Sequence, residues 1–168
     1  MIGRIEKGEI KIEGDMDELV EKGYGIKEGN YLKLKNYEAL YLLFNGKIEI
    51  FDDKGNKIEK IEDFISKFLK EDPLLMIKYL IYRDIRSKGY VIREGYRFGN
   101  DFRVYERGKY DKKPAKYIIY GIFEGQVFNF GDLTELLRHT QALRKTLILA
   151  VVDRRTEVVY YTVSKLMV

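Results

Sequence analysis

The chain contains no cysteine, no tryptophan, one histidine (His139), two prolines and two glutamines in 168 residues. Without cysteine there can be neither disulfides nor thiolate metal sites, which suits an intracellular protein. A lone histidine nearly excludes zinc, which needs several nitrogen or sulfur ligands. No apolar run reaches the roughly 18 residues of a membrane-spanning helix. The opening Met1-Ile2-Gly3-Arg4-Ile5-Glu6 also lacks the apolar stretch of a signal peptide. The expectation is a cytoplasmic protein with no membrane partner and no cofactor.

What is present is enough for a packed core: 45% of the residues are hydrophobic, and the length suits one domain or two small ones. Thirty-one Lys and Arg stand against 27 Asp and Glu, a net charge of +4. That balance permits nucleic-acid binding without requiring it. Heavy use of Lys, Glu, Ile and Tyr matches hyperthermophile proteins, although an AT-rich genome gives a similar bias.

Along the chain, alternation at Glu9-Ile10-Lys11-Ile12 predicts a strand, and Asp15 to Lys22 an acidic helix ended by Gly23. Asn36 reads as the N-cap of a helix carrying Ala39, Leu40, Leu43 and Phe44, stopped at Gly46 and followed by a strand from Lys47 to Asp52. After the turn Lys54-Gly55-Asn56, Ile61, Phe64, Ile65, Phe68 and Leu69 recur at helical spacing until Glu71-Asp72-Pro73 interrupts them. A domain boundary is placed there. Asp72 as N-cap and Pro73 then open a helix with the stripe Leu74, Ile77, Ile81, Ile85, ended by Gly89. Strands are expected at Tyr90 to Arg93, Phe102 to Tyr105 and Tyr117 to Phe123, then a helix capped by Asp132. Leu147 to Val152 reads as a central strand buried on both faces, and Glu157 to Val163 as the last. The expected fold is mixed α/β (α+β), with a small N-terminal domain, residues 1–72, and an α/β domain with a mixed sheet, residues 73–168.

The stretch from Lys78 to Tyr90 (KYLIYRDIRSKGY), the stretch from Phe98 to Gly108 (FGNDFRVYERG) and the block from Arg138 through Lys145 to Tyr161 occur in an order and spacing that resemble the archaeal tRNA-intron (tRNA-splicing) endonuclease family. The Glu38 to Leu42 helix and the Lys47 to Asp52 strand resemble that family's N-terminal domain, so the likeness covers most of the chain. The resemblance implies metal-independent cleavage of bulge-helix-bulge RNA in intron-containing precursor tRNA. The ribose 2′-OH attacks its own phosphate and leaves a 2′,3′-cyclic phosphate and a 5′-OH. It also implies a homo- or hetero-oligomer, with a dimer of dimers expected and, in the hetero-oligomeric form, a second endonuclease subunit.

On this resemblance the family tyrosine falls on Tyr105, which would take the 2′-OH proton, and the family lysine on Lys145, which would stabilise the phosphorane. A phenol of ordinary pKa, about 10, is a poor base at neutral pH, so Lys145 or Arg107 would have to depress it. The family histidine, which protonates the leaving 5′-oxygen, should lie in the loop Lys112-Lys113-Pro114-Ala115-Lys116, and Pro114 stands where it belongs. General acid catalysis contributes about 10²- to 10⁴-fold, so its loss should remove most intrinsic activity. Lys113 or Lys116 could substitute only with a lowered pKa. Arg138 matches an arginine that stacks on a bulged base. The loop between the last two strands, acidic in family members that insert it into a neighbouring subunit, here reads Asp153-Arg154-Arg155-Thr156-Glu157.

Two other readings stand beside this one. The chain could be a non-enzymatic RNA-binding assembly module, or, from Asp101 and Glu106, a metal-dependent nuclease, although odd and even strand positions face opposite ways. The final strand Val158, Val159, Tyr160, Tyr161 runs into an apolar tail of Val163, Leu166, Met167 and Val168 that one small domain is not expected to cover fully, which argues for an oligomer.

Overall fold

A computed structural model describes residues 1–96 and 99–166. Phe98 of the second motif, and Met167 and Val168 of the tail, lie outside the described residues. The chain divides into two compact units, Met1–Tyr82 and Arg83–Val168, and the division falls inside a helix. Both units mix helices with a five-stranded sheet. Among the described residues no helix is long and apolar enough to cross a membrane.

In the first unit the strands are β1 (Ile2–Glu6), β2 (Glu9–Glu13), β3 (Ile26–Glu28), β4 (Tyr31–Leu34) and β5 (Glu49–Phe51), in the order β3-β4-β2-β1-β5. All pair antiparallel except β1 with β5. Alternation puts Ile5, Ile10, Ile12, Leu32, Leu34 and Ile50 on the buried face. Helices α1 (Asp17–Glu21), α2 (Asn36–Phe44) and α3 (Ile61–Phe68) add Leu19, Ala39, Leu40, Phe64 and Phe68 to the buried set. Asn36 is the first helical residue rather than the N-cap, which is Lys35. The backbone N–H of Lys35 donates to Glu38 Oε2 at 2.9 Å, so a carboxylate three residues on does the capping.

Helix α4 (Leu75–Ser87) starts later than the Asp72–Pro73 expectation. Asp72 instead accepts from Lys78 Nζ at 2.9 Å, and its carbonyl accepts from Leu75 N–H at 3.1 Å. Of the expected stripe Ile81 and Ile85 are buried, but the helix's first buried residue is Leu75, and Leu74 is 39% exposed.

The second sheet runs β10-β9-β8-β7-β6, built from β6 (Val91–Glu94), β7 (Asp101–Tyr105), β8 (Tyr117–Phe123), β9 (Thr146–Val152) and β10 (Val158–Val163). Only β8 and β9 pair in parallel, and α5 (Phe130–Ala142) connects them, as a parallel crossover requires. Leu136 of α5 packs with Ile118 and Leu147 of the sheet, with Leu133, Leu137, Leu149 and Val163 around them. The cap of α5 is Asn129, whose Oδ1 accepts from Asp132 N–H at 2.8 Å; Asp132 is the recipient of the cap, not the cap. Strand β9 has buried residues on both faces, Leu147 on one and Ala150 and Val152 on the other, while Ile148, Leu149 and Val151 are half-buried.

Candidate functional site

The loop from Glu106 to Lys116 leaves the end of β7 and returns at the start of β8. Its return is clamped by backbone bonds: Lys116 N–H donates to Val104 O at 3.0 Å, and Thr146 N–H donates to Lys116 O at 3.0 Å. Val104 also faces Tyr117 in the strand register. Residues 116 and 117 thus oppose one residue of β7, the count of a β-bulge. Tyr105 follows Val104 and Lys145 precedes Thr146, so the backbones of both adjoin this clamp.

Each candidate has a definite setting. Tyr105 is half-buried at the last position of β7, with its ring edge-to-face against Tyr110 of the loop, centroids 5.0 Å apart at 87°. Lys145 is half-buried just after α5, and its Nζ donates to the carbonyl oxygen of Ala115. Arg144, before it, takes a left-handed backbone, φ 55°, which turns the chain from helix into strand. Arg107 stands with its guanidinium carbon 4.7 Å from the Tyr90 ring centroid. Pro114 and Lys113 are exposed in the loop.

Lys116 is engaged. Its Nζ lies 2.6 Å from Glu106 Oε1 and 5.5 Å from the Tyr117 ring centroid. The hydrogen bond to Glu106, reinforced by that carboxylate's charge, raises the Lys116 pKa above the ordinary ammonium value. The same bond lowers the Glu106 carboxyl below its usual range.

Asp101, the other carboxylate near β7, is buried and accepts from Tyr96 N–H at 2.8 Å. Asp101 and Glu106 therefore serve opposite ends of the strand in separate interactions. Among the described residues no group of three or more His, Cys, Asp or Glu is placed to hold a metal ion.

On the exposed side of α5, Arg138 borders a groove of about 400 Å³ with Phe130, Leu133, Leu137, Val163 and Lys165. The next residue, His139, packs edge-on to Tyr96, centroids 6.4 Å apart. Between β9 and β10, Asp153 Oδ1 accepts from Arg155 N–H at 2.8 Å and Glu157 N–H at 3.0 Å. This tight turn holds Arg154 and Arg155 outward; Arg155 pairs loosely with Asp153 at 3.6 Å and Glu157 at 3.8 Å.

Charge is divided unevenly between the units. Residues 1–82 carry 14 Lys and Arg against 17 Asp and Glu, whereas residues 83–168 carry 17 against 10. The small overall net charge hides an acidic unit and a strongly basic one, and every candidate site residue belongs to the basic unit. A surplus of that size attracts polyanions by long-range field alone.

Two family models of one RNA-processing nuclease match the chain in sequence: tRNA intron endonuclease, N-terminal domain, over residues 1–65, and tRNA intron endonuclease, catalytic C-terminal domain, over residues 75–160. The tRNA-splicing endonuclease of Methanococcus vannielii is 37% identical over 148 residues, covering 88% of this chain and 83% of that protein. That of Pyrococcus furiosus is 35% identical over 145 residues (86% and 82%), and that of Thermococcus onnurineus 33% over 166 residues (93% and 95%). The chain belongs to the tRNA intron endonuclease family.

Proposed function

We propose that this chain is a subunit of a tRNA-splicing endonuclease acting on bulge-helix-bulge RNA, with residues 1–72 and 73–168 as its two domains. It supplies RNA binding, a base and a cation, but no general acid of its own. In the reaction the ribose 2′-oxygen bonds to the adjacent phosphorus as Tyr105 takes its proton. The Lys145 ammonium balances the extra charge on the phosphorane, and the bond from phosphorus to the 5′-oxygen breaks. That oxygen leaves as 5′-OH only if a proton reaches it. No metal is assigned a role.

The observation that carries this reading is the state of the loop. Lys116 is bonded through its backbone to Val104 and Thr146, the neighbours of Tyr105 and Lys145, and Glu106 holds its side-chain proton more tightly rather than less. An acid with a raised pKa transfers its proton more reluctantly. With proline at position 114 the loop has no imidazole either, which favours an acid supplied by another chain over Lys113 or Lys116.

The test is single-turnover cleavage of a bulge-helix-bulge RNA in excess EDTA. The isolated chain is expected to cut slowly or not at all. Pro114→His should raise the rate by up to about 10²-fold with little change in affinity, because an acid acts only in the transition state. The gain should vanish in Pro114→His combined with Tyr105→Phe or Lys145→Met. Full-speed cleavage by the unmodified chain in EDTA would defeat the proposal and direct attention to Lys113 and Lys116. No cleavage by any variant, even with a partner chain, would leave an RNA-binding assembly module.

A further inference from the structure

Besides Tyr105 and Lys145, the basic unit holds a second candidate contact in a fixed setting. Tyr96, in the turn between β6 and β7, remains 44% exposed. Its backbone N–H donates to Oδ2 of Asp101 at 2.8 Å, and Gly95 N–H donates to Asp101 O at 2.9 Å. A Cβ on Gly95 would stand 2.2 Å from that carboxylate oxygen, so only glycine lets the turn close on Asp101. A buried carboxylate is costly unless hydrogen-bonded, and here part of its bonding fixes the backbone of a half-exposed tyrosine.

The ring is then braced from two sides. The Arg103 guanidinium carbon lies 5.5 Å from its centroid, and the His139 imidazole meets it edge-on at 71°. Arg103 has a buried Nε without a hydrogen-bond acceptor and makes no ion pair among the described residues. A guanidinium partly withdrawn from water without a carboxylate is unfavourable alone and becomes favourable beside an anion. Next to the ring opens a depression of about 380 Å³ lined by Glu94, Gly95, Tyr96, Gly99 and Asp101. Its carboxylates repel phosphate but accept hydrogen bonds from N–H groups.

We infer that Tyr96 and Arg103 form a nucleotide-binding site: an unpaired RNA base bearing an exocyclic amino group stacks on the Tyr96 ring, with its amino edge toward Glu94, while the adjoining phosphate meets Arg103. His139 is a positioning residue that braces the ring, one position along α5 from Arg138. The inference rests on the RNA-processing reading and extends it to a stretch of RNA beyond the Tyr105 and Lys145 region. Stacking on an aromatic ring is strong and indifferent to sequence context, and a cation beside the ring strengthens it.

Because the chain has no tryptophan, Tyr96→Trp places a single indole at the site. The full-length variant is titrated with a bulge-helix-bulge RNA and with an uninterrupted duplex of equal length. The bulged RNA should quench the indole emission and the duplex should not. Tyr96→Ala should weaken binding of the bulged RNA by roughly 5- to 150-fold, and Tyr96→Phe should retain it. Arg103→Gln should reduce the slope of log Kd against log salt by about one. An unquenched indole, or Tyr96→Ala binding as tightly as the parent, overturns this inference alone if Arg138→Ala still weakens binding. If the parent binds neither RNA even at low salt, the inference and the RNA-processing reading fall together.

Discussion

Tyr160→Phe probes how the last strand is fastened to its unit. The hydroxyl of Tyr160 on β10 donates to Asp84 Oδ2 on α4. Lys88 Nζ completes the group, 2.7 Å from the same oxygen and 4.9 Å from the Tyr160 ring centroid. The substitution keeps the ring and its contact with the ammonium and removes only the donor. A hydrogen bond to a charged group contributes about 1.5–3 kcal/mol when well buried. The Asp84 side chain is 30% exposed and keeps Lys88, so the loss falls at the low end, about 1–2 kcal/mol. For a chain of this length about 1 kcal/mol shifts the midpoint by about 2–4 °C, so the variant should melt about 2–8 °C lower near neutral pH.

The pH dependence supplies a second reading of the same bond. Burial first, and the Asp84 bond next, raise the Tyr160 pKa above the ordinary phenol value. Above about pH 10 the unfolded chain loses this proton while the folded chain keeps it. The unfolded state then binds fewer protons, so stability falls as pH rises, by up to about 1.4 kcal/mol per unit. The contribution is complete below about pH 10 and is lost above it, whereas the variant has nothing to titrate there. The gap in melting temperature should therefore narrow above about pH 10, the other tyrosines cancelling between the two proteins. Thermal unfolding by circular dichroism, with hydrogen exchange of the β10 amides, measures both effects. Equal midpoints at neutral pH, or a gap that stays constant above pH 10, would refute the reasoning.

RNA affinity should fall steeply with salt, and Arg138→Ala should weaken it by about 2- to 30-fold and flatten that dependence by about one unit of slope; affinity insensitive to salt, or an unaffected variant, would count against the groove. Native mass measurement should find more than one chain per particle, because β10 is an edge strand with Val159 47% and Tyr161 56% exposed; a monodisperse monomer, unchanged by RNA, would contradict this.

The strands that carry the candidate site were legible because their apolar runs are long and bounded by turns, as at Tyr117 to Phe123 and Leu147 to Val152. Strand β3 was not, since Ile26, Lys27 and Glu28 are all exposed and show no alternation. Helix starts were misplaced where two capping residues compete: Asn129 and Asp132 both suit a cap, and only the direction of the bond between them separates the roles. In the site, Tyr105 and Lys145 could be singled out by resemblance. What holds Lys145, a carbonyl 30 residues away, leaves no mark on local sequence. Tyr96 and Arg103 were missed for a related reason. Strand alternation already puts Arg103 on the same face as Tyr105, but the clasp of Asp101 around Gly95 and Tyr96 is a matter of backbone closure.

The clamp at the loop's return bears on how this protein can change over generations. Lys116 N–H on Val104 O and Thr146 N–H on Lys116 O tie the three strand ends together without using any residue from Arg107 to Pro114. Apart from Tyr110, whose ring packs on Tyr105, residues inside that span can be exchanged at the modest entropic cost of an exposed loop, while the backbones of Tyr105 and Lys145 stay where the sheet puts them. A histidine at position 114 is therefore separable from its companions: a chain can lose it in one step, keep its scaffold and RNA-facing surface intact, and regain it as easily. Duplicate copies of such a chain would be free to divide labour, one keeping the acid and another only the framework.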